Sequence, residues 1–137
     1  MILVDTNILV AVANDRDRHH QRARELLETV PDELLVPPTV IAEVCYLVGE
    51  RDGASAEARF LRAFGAGELR VAELTTPDLG RMAELTERYA DLKLGGTDAS
   101  VVAIAERLGI ERIATLDRRH FSVVRPHHVD AFTLLPA

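Results

Sequence analysis

Two short apolar runs in this chain each stop at an aspartate: Ile2-Leu3-Val4 at Asp5, and Ile113-Ala114-Thr115-Leu116 at Asp117. An unbroken apolar run of that length suits a strand buried on both faces, and such strands belong to parallel sheets covered by helices. The segments between them carry the longer period of helices. After Asp5 a helical stretch runs to about Asn14. A second helix begins around His19, with Ala23, Leu26, Leu27 and Val30 on its buried stripe and Pro31 closing it. Glu33 to Val36 reads as the next strand. Pro37-Pro38-Thr39 then opens a helix that turns Val40, Val44, Leu47 and Val48 inward and stops near Gly53.

The same alternation continues. Ser55 to Phe64 is helical, with Phe60, Leu61 and Phe64 apolar, and Leu69 to Leu74 alternates as a strand. Thr76 is expected as the N-cap of a helix reaching about Tyr89, with Pro77 at its first position. Gly95-Gly96-Thr97-Asp98 reads as a loop before a helix from Ala99 to Leu108, capped by Gly109. Strands are expected over Ile110 to Leu116 and Phe132 to Leu135. This order predicts an α/β sandwich around a mainly parallel sheet. Without a repeat, low-complexity tract or linker, residues 1–137 read as one domain.

The lone Cys45 has no internal disulfide partner and sits among Val44, Tyr46, Leu47 and Val48, so a packing role is expected. The N-terminal apolar stretch lacks a basic flank and is interrupted by Asp5 and Asn7. No other stretch approaches the ~20 apolar residues that cross a bilayer. A cytoplasmic protein is the expectation. A net charge of −6 argues at first against a nucleic-acid partner. Acids gathered around cations distort that sum, and distribution matters more. Arg16, Arg18, His19, His20, Arg22 and Arg24 form one basic cluster; Arg118, Arg119 and His120 form another.

On this map Asp5 and Asp117 fall at the carboxyl ends of strands. Asp98 is on the first turn of a helix, and Glu43 is one turn into the helix after the second strand. In open parallel sheets those positions share one rim, where ligands bind. Two carboxylates ~5 Å apart repel by roughly 3 kcal/mol at an effective dielectric near 20, so convergence calls for protonation or for cations. All-oxygen ligands favour Mg²⁺ or Mn²⁺. Such ions can activate water at a phosphodiester. Thr6, Asn7, Thr97 and Thr115 stand beside the acids and could orient them. Structural alternatives remain for individual acids: Asp98 as a favourable charge at a helix N-terminus, Asp117 as an N-cap, Glu43 as a solvated helix residue.

Asp5-Thr6-Asn7 after an N-terminal strand, Glu43 within Ile-Ala-Glu-Val, Gly96-Thr97-Asp98-Ala99 opening a helix, and Thr115-Leu116-Asp117-Arg118-Arg119-His120-Phe121 together resemble the PIN-domain nucleases. In size and motif order the chain is similar to bacterial VapC toxins of type II toxin–antitoxin pairs. The resemblance implies a PIN-like α/β/α sandwich and a Mg²⁺- or Mn²⁺-dependent endoribonuclease. Asp5, Glu43, Asp98 and Asp117 would be its catalytic and metal-binding acids, supported by Thr6, Asn7 and Thr115. It also implies a homodimer, a cognate antitoxin whose C-terminal segment wraps the toxin beside the site, and a structured RNA substrate such as tRNA or a ribosomal RNA loop.

Arg118, Arg119, His120, Arg16 and Arg18 are candidate RNA contacts, against the alternative of solvated faces and helix capping. Aromatics are only 4% of the chain, so phosphate and shape contacts would have to outweigh base stacking. Glu87 and Asp91 stay unassigned, as does the His127-His128 pair. Other chemistries fit less well. Asp5-Thr6-Asn7 resembles the nucleophile loop of haloacid-dehalogenase-type phosphatases, but Asn7 stands where those carry a second acid. The lysine of phospho-receiver domains has no counterpart, since Lys93 is the only lysine. No P-loop motif is present. An RNA-processing nuclease without an antitoxin and a non-catalytic RNA- or protein-binding PIN module are the competing readings.

Overall fold

The computed structural model describes residues 1–137. Five strands, β1 (Ile2–Val4), β2 (Leu34–Val36), β3 (Arg70–Val71), β4 (Arg112–Ala114) and β5 (Thr133–Leu135), form one sheet in the order β3-β2-β1-β4-β5. Every pairing is parallel. Leu3 pairs with Leu35 on one side and Ile113 on the other, which makes β1 the centre of the sheet. All three residues of β1 are fully buried. Each such aliphatic side chain contributes about 1.5–3 kcal/mol on leaving water, which explains an apolar run with no alternation.

Helices α1 (Thr6–Ala13), α2 (His20–Thr29), α3 (Pro38–Asp52), α4 (Ala54–Gly65), α5 (Thr76–Arg88), α6 (Gly96–Leu108) and α7 (Arg118–Val123) connect the strands. The chain steps outward from β1 to β2 to β3, then returns past β1 to β4 and β5. With the right-handed crossovers usual for parallel units, that reversal sends helices to both faces and gives the expected α/β/α sandwich. Helix α6 is apolar almost all round: Ala99 and Val101 through Ala105 are buried, as befits a helix enclosed by its neighbours. It ends at Gly109, whose φ of 69° is the left-handed conformation that glycine adopts without strain. No helix is long and apolar enough to cross a membrane.

Several expectations are corrected. The N-cap of α5 is Thr75, whose hydroxyl accepts from the Asp78 backbone N–H while Asp78 accepts from that of Thr75. This reciprocal box moves the helix start one residue back and Pro77 to the second helical position. Helix α6 begins at Gly96, so Asp98 lies inside its first turn. The third strand shrinks to Arg70–Val71, both exposed, because it is a sheet edge anchored by buried Leu69 and Ala72. Strand β4 covers only Arg112–Ala114 of the longer apolar run. Leu47 and Leu61 point outward, 41% and 44% exposed. Cys45 is only half-buried. Helix α7 follows the N-cap reading of Asp117 and extends it to nearly two turns, Arg118–Val123.

Candidate active site

The strand order reverses between β1 and β4, and a crevice opens where the connections leave adjacent strands in opposite directions. Asp5 follows β1 directly and caps α1: its Oδ1 accepts from the Thr6 backbone N–H at 2.8 Å. Its Oδ2 accepts from the Thr115 hydroxyl at 2.8 Å. That hydroxyl oxygen also accepts from the Asp117 backbone N–H at 2.9 Å, so Thr115 ties the acid after β1 to the acid after β4. Asn7 completes the tie. Its Nδ2 donates to Thr115 Oγ1 at 3.3 Å and its Oδ1 accepts from the Leu116 N–H at 2.9 Å.

Asp117 serves both readings of it at once. Oδ1 caps α7, accepting from the backbone N–H groups of Arg119 and His120 at 3.1 and 3.2 Å. Oδ2 faces His120 Nδ1 at 2.7 Å, and the same ring nitrogen lies 3.4 Å from Asp98 Oδ2. One ligand atom from each of Asp98, Asp117 and His120 lies within 4.8 Å of the other two. Across the cleft, Glu43 Oε2 accepts from the Thr97 hydroxyl at 3.3 Å, one residue before Asp98. The helices carrying Glu43 and Asp98 are pinned by hydroxyls: Thr39 Oγ1 and Ser100 Oγ are 2.6 Å apart, and Ser100 donates to the Thr97 carbonyl.

The electrostatics agree that the acids share one space. Burial pushes the Asp5 carboxyl from 3.8 up to about 6; bonds from Thr115 and Thr6 oppose that, and the charges of Asp98 and Asp117 add to it. Asp98 is also raised, first by burial and then by Asp117 and Glu43, against a lowering effect of His120. Elsewhere buried carboxylates find guanidinium partners: Asp78 pairs with Arg107 and Glu106 with Arg81. None of the four site acids pairs with an arginine or with Lys93. Clustered carboxylates with no guanidinium or ammonium partner, and a single imidazole beside them, are a donor set for a divalent cation, so the residues fit such an ion. Thr6 Oγ1 is buried beside them with no hydrogen-bond partner.

Of the candidate RNA contacts, His120 is turned into the acid cluster. Its spacing of three from Asp117 on a helical turn was the available signal. Arg118 is exposed, and its guanidinium donates to the Pro136 carbonyl at 3.0 Å. Arg119 is exposed beside Asp117. Arg16 and Arg18 are exposed in the turn between α1 and α2, where Arg18 Nε donates to His19 Nε2. Glu87 and Asp91 are exposed and bond to none of the four acids. The Thr39–Ser100 pair was not singled out from the sequence.

The family model for the PIN domain matches residues 2–125. This chain belongs to the PIN-domain family. It is 35% identical over 135 residues to Ribonuclease VapC26 of Mycobacterium tuberculosis (strain ATCC 25618 / H37Rv), covering 98% of this chain and all of that protein. Among solved structures, VapC20 of M. tuberculosis, described as a Sarcin-Ricin loop cleaving toxin, superposes with a TM-score of 0.80 at 23% identity. That match covers 86% of this chain and 91% of that one. A toxin–antitoxin complex from Klebsiella pneumoniae matches with a TM-score of 0.71 at 22% identity, covering 90% and 92%. At those identities the two structures establish the shared PIN fold.

Proposed function

We propose that this PIN domain is a metal-dependent endoribonuclease, the toxin of a cytoplasmic toxin–antitoxin pair. The observation that carries the reading is the meeting of Asp5, Asp98, Asp117 and Glu43 at the β1/β4 crossover with no arginine or lysine partner, in a chain similar along its whole length to a ribonuclease. Mg²⁺ or Mn²⁺ held by those acids would supply Lewis-acid stabilisation of a phosphodiester and lower the pKa of water. The chain's own groups do the rest. Thr115, steadied by Asn7, and the Thr6 N–H hold the Asp5 carboxylate, the Arg119 and His120 N–H groups hold that of Asp117, and Thr97 orients Glu43. Arg119, exposed and two residues after Asp117, would be the phosphate contact.

The antitoxin reading draws on the Klebsiella complex and on a groove of about 720 Å³ between α1, α2 and α4. Leu9, Leu27 and Phe60 line it, and Arg24, Glu28 and Arg59 add charge. It suits an amphipathic segment of the antitoxin. For self-association, exposed Tyr46 and Leu47 lie one turn beyond Glu43 on α3, an apolar pair suited to a second copy of the chain.

Purified protein incubated with structured RNA and Mg²⁺ or Mn²⁺ is expected to cleave it. Chelation abolishes the activity, and Asp98→Asn lowers it by roughly 100-fold or more. Undiminished cleavage by that variant overturns the assignment. Induced expression in a bacterial host without a partner protein is expected to arrest growth for the wild type and not for Asp98→Asn. Normal growth with soluble, cleavage-competent protein overturns the toxin role.

A further inference from the structure

The acid cluster contains one nitrogen. His120 is held from both sides. Asp117 Oδ1 caps the helix that carries it, and buried Phe121 fixes that helix to the core. At the far side of the ring, Nε2 lies 3.2 Å from the Leu92 carbonyl. That carbonyl ends a 3₁₀ turn (Ala90–Leu92) which Lys93 closes in the left-handed conformation, φ 58°. A carbonyl oxygen only accepts, so Nε2 carries the hydrogen. On the near side a proton bridges Nδ1 and Asp117 Oδ2, 2.7 Å apart, with Asp98 Oδ2 at 3.4 Å; a divalent ion would displace that proton and meet the Nδ1 lone pair. Histidines that ligate metals are held in this way, the far N–H donated to a backbone carbonyl and the near nitrogen presented.

We propose that His120 Nδ1 joins Asp98 and Asp117 as a ligand of the divalent ion, so that the site selects imidazole-accepting transition metals over Mg²⁺. The inference rests on the reading of the acid cluster as a metal site and adds what that reading lacks, a nitrogen donor and the selectivity it brings. Mg²⁺ keeps oxygen ligands and octahedral geometry, whereas Mn²⁺, Co²⁺ and Ni²⁺ accept imidazole progressively better and Zn²⁺ also takes it readily. Leu92 is a positioning residue here, acting through its carbonyl alone. A substitution of its side chain therefore leaves the ligand in place, and His120 itself must be the variant.

The test uses the full chain with Mn²⁺ and Mg²⁺ as separate probes. Pulsed EPR of the Mn²⁺-loaded wild type, labelled with ¹⁵N-histidine, is expected to show directly bound nitrogen. Calorimetry is expected to show Mn²⁺ affinity falling roughly 10-fold in His120→Ala while Mg²⁺ affinity stays within about 2-fold. Asp98→Asn separates the two claims, because it is expected to weaken both ions. Mn²⁺ bound without nitrogen coupling, or an unchanged Mn²⁺/Mg²⁺ ratio in His120→Ala, overturns the histidine ligand and leaves the acid site standing. Failure of the wild type to bind either ion overturns both. If His120→Ala does not fold, the nitrogen coupling of the wild type decides alone.

Discussion

Asp5 is asked to be charged and uncharged at once. As the cap of α1 and acceptor from Thr115 it favours the carboxylate, while burial and the charges of Asp98 and Asp117 favour the acid. Burial prevails, and the folded group titrates near 6 instead of 3.8. The fold therefore binds this proton more tightly than the unfolded chain does. Metal-free stability falls as pH rises from about 4 to about 6, by on the order of 3 kcal/mol for this group. Asp98 is displaced in the same direction. Asp5→Asn keeps an acceptor for the Thr6 N–H and removes the charge. In chelator, urea unfolding is expected to find this variant more stable than the wild type at pH 7 and equal to it near pH 4. A less stable variant at pH 7 contradicts the account. Divalent ions reverse the sign, and the Tm gain on adding Mn²⁺ to the wild type is expected to be larger at pH 7 than at pH 5.

At the scale of elements, caps decide where the site acids stand, and caps were also where the sequence misled. Thr75 and Thr76 are both plausible before Pro77; only the reciprocal bond with Asp78 selects Thr75. Thr75→Ala removes one half of that box, and thermal unfolding should show a loss of about 1 kcal/mol, near 4 °C in Tm, with RNA cleavage unchanged. Apolar runs ending at Asp5 and Asp117 made β1 and β4 legible, because a strand buried on both faces leaves a continuous pattern. Strand β3 was harder: its residues are exposed, and the buried Leu69 and Ala72 flank it. Helix α7 is shorter than two turns and has no apolar period to read, so the direction of His120 was hidden with it. Glu43 stood mainly on the resemblance, since nothing local distinguishes it from a solvated helix residue. What identifies it in space is Thr97, a partner 54 positions away.

On the scale of the whole molecule, the exposed pair Tyr46 and Leu47, 67% and 41% accessible, stands on the helix that carries Glu43. Sedimentation is expected to find the wild type as a dimer and the Tyr46→Arg/Leu47→Arg variant shifted to monomer; a monomeric wild type refutes the self-association. The central position of β1 has one more consequence. The first strand cannot complete its hydrogen bonding until β4 is present, and Asp5 meets Thr115 only across 110 positions of chain. During synthesis the ribosome therefore releases most of the polypeptide before the acid cluster can assemble. A nascent or truncated chain ending before Asp117 lacks one of the four acids, and parallel pairing over such a separation is slow to form. The fold therefore withholds the complete acid cluster until the last strands have emerged.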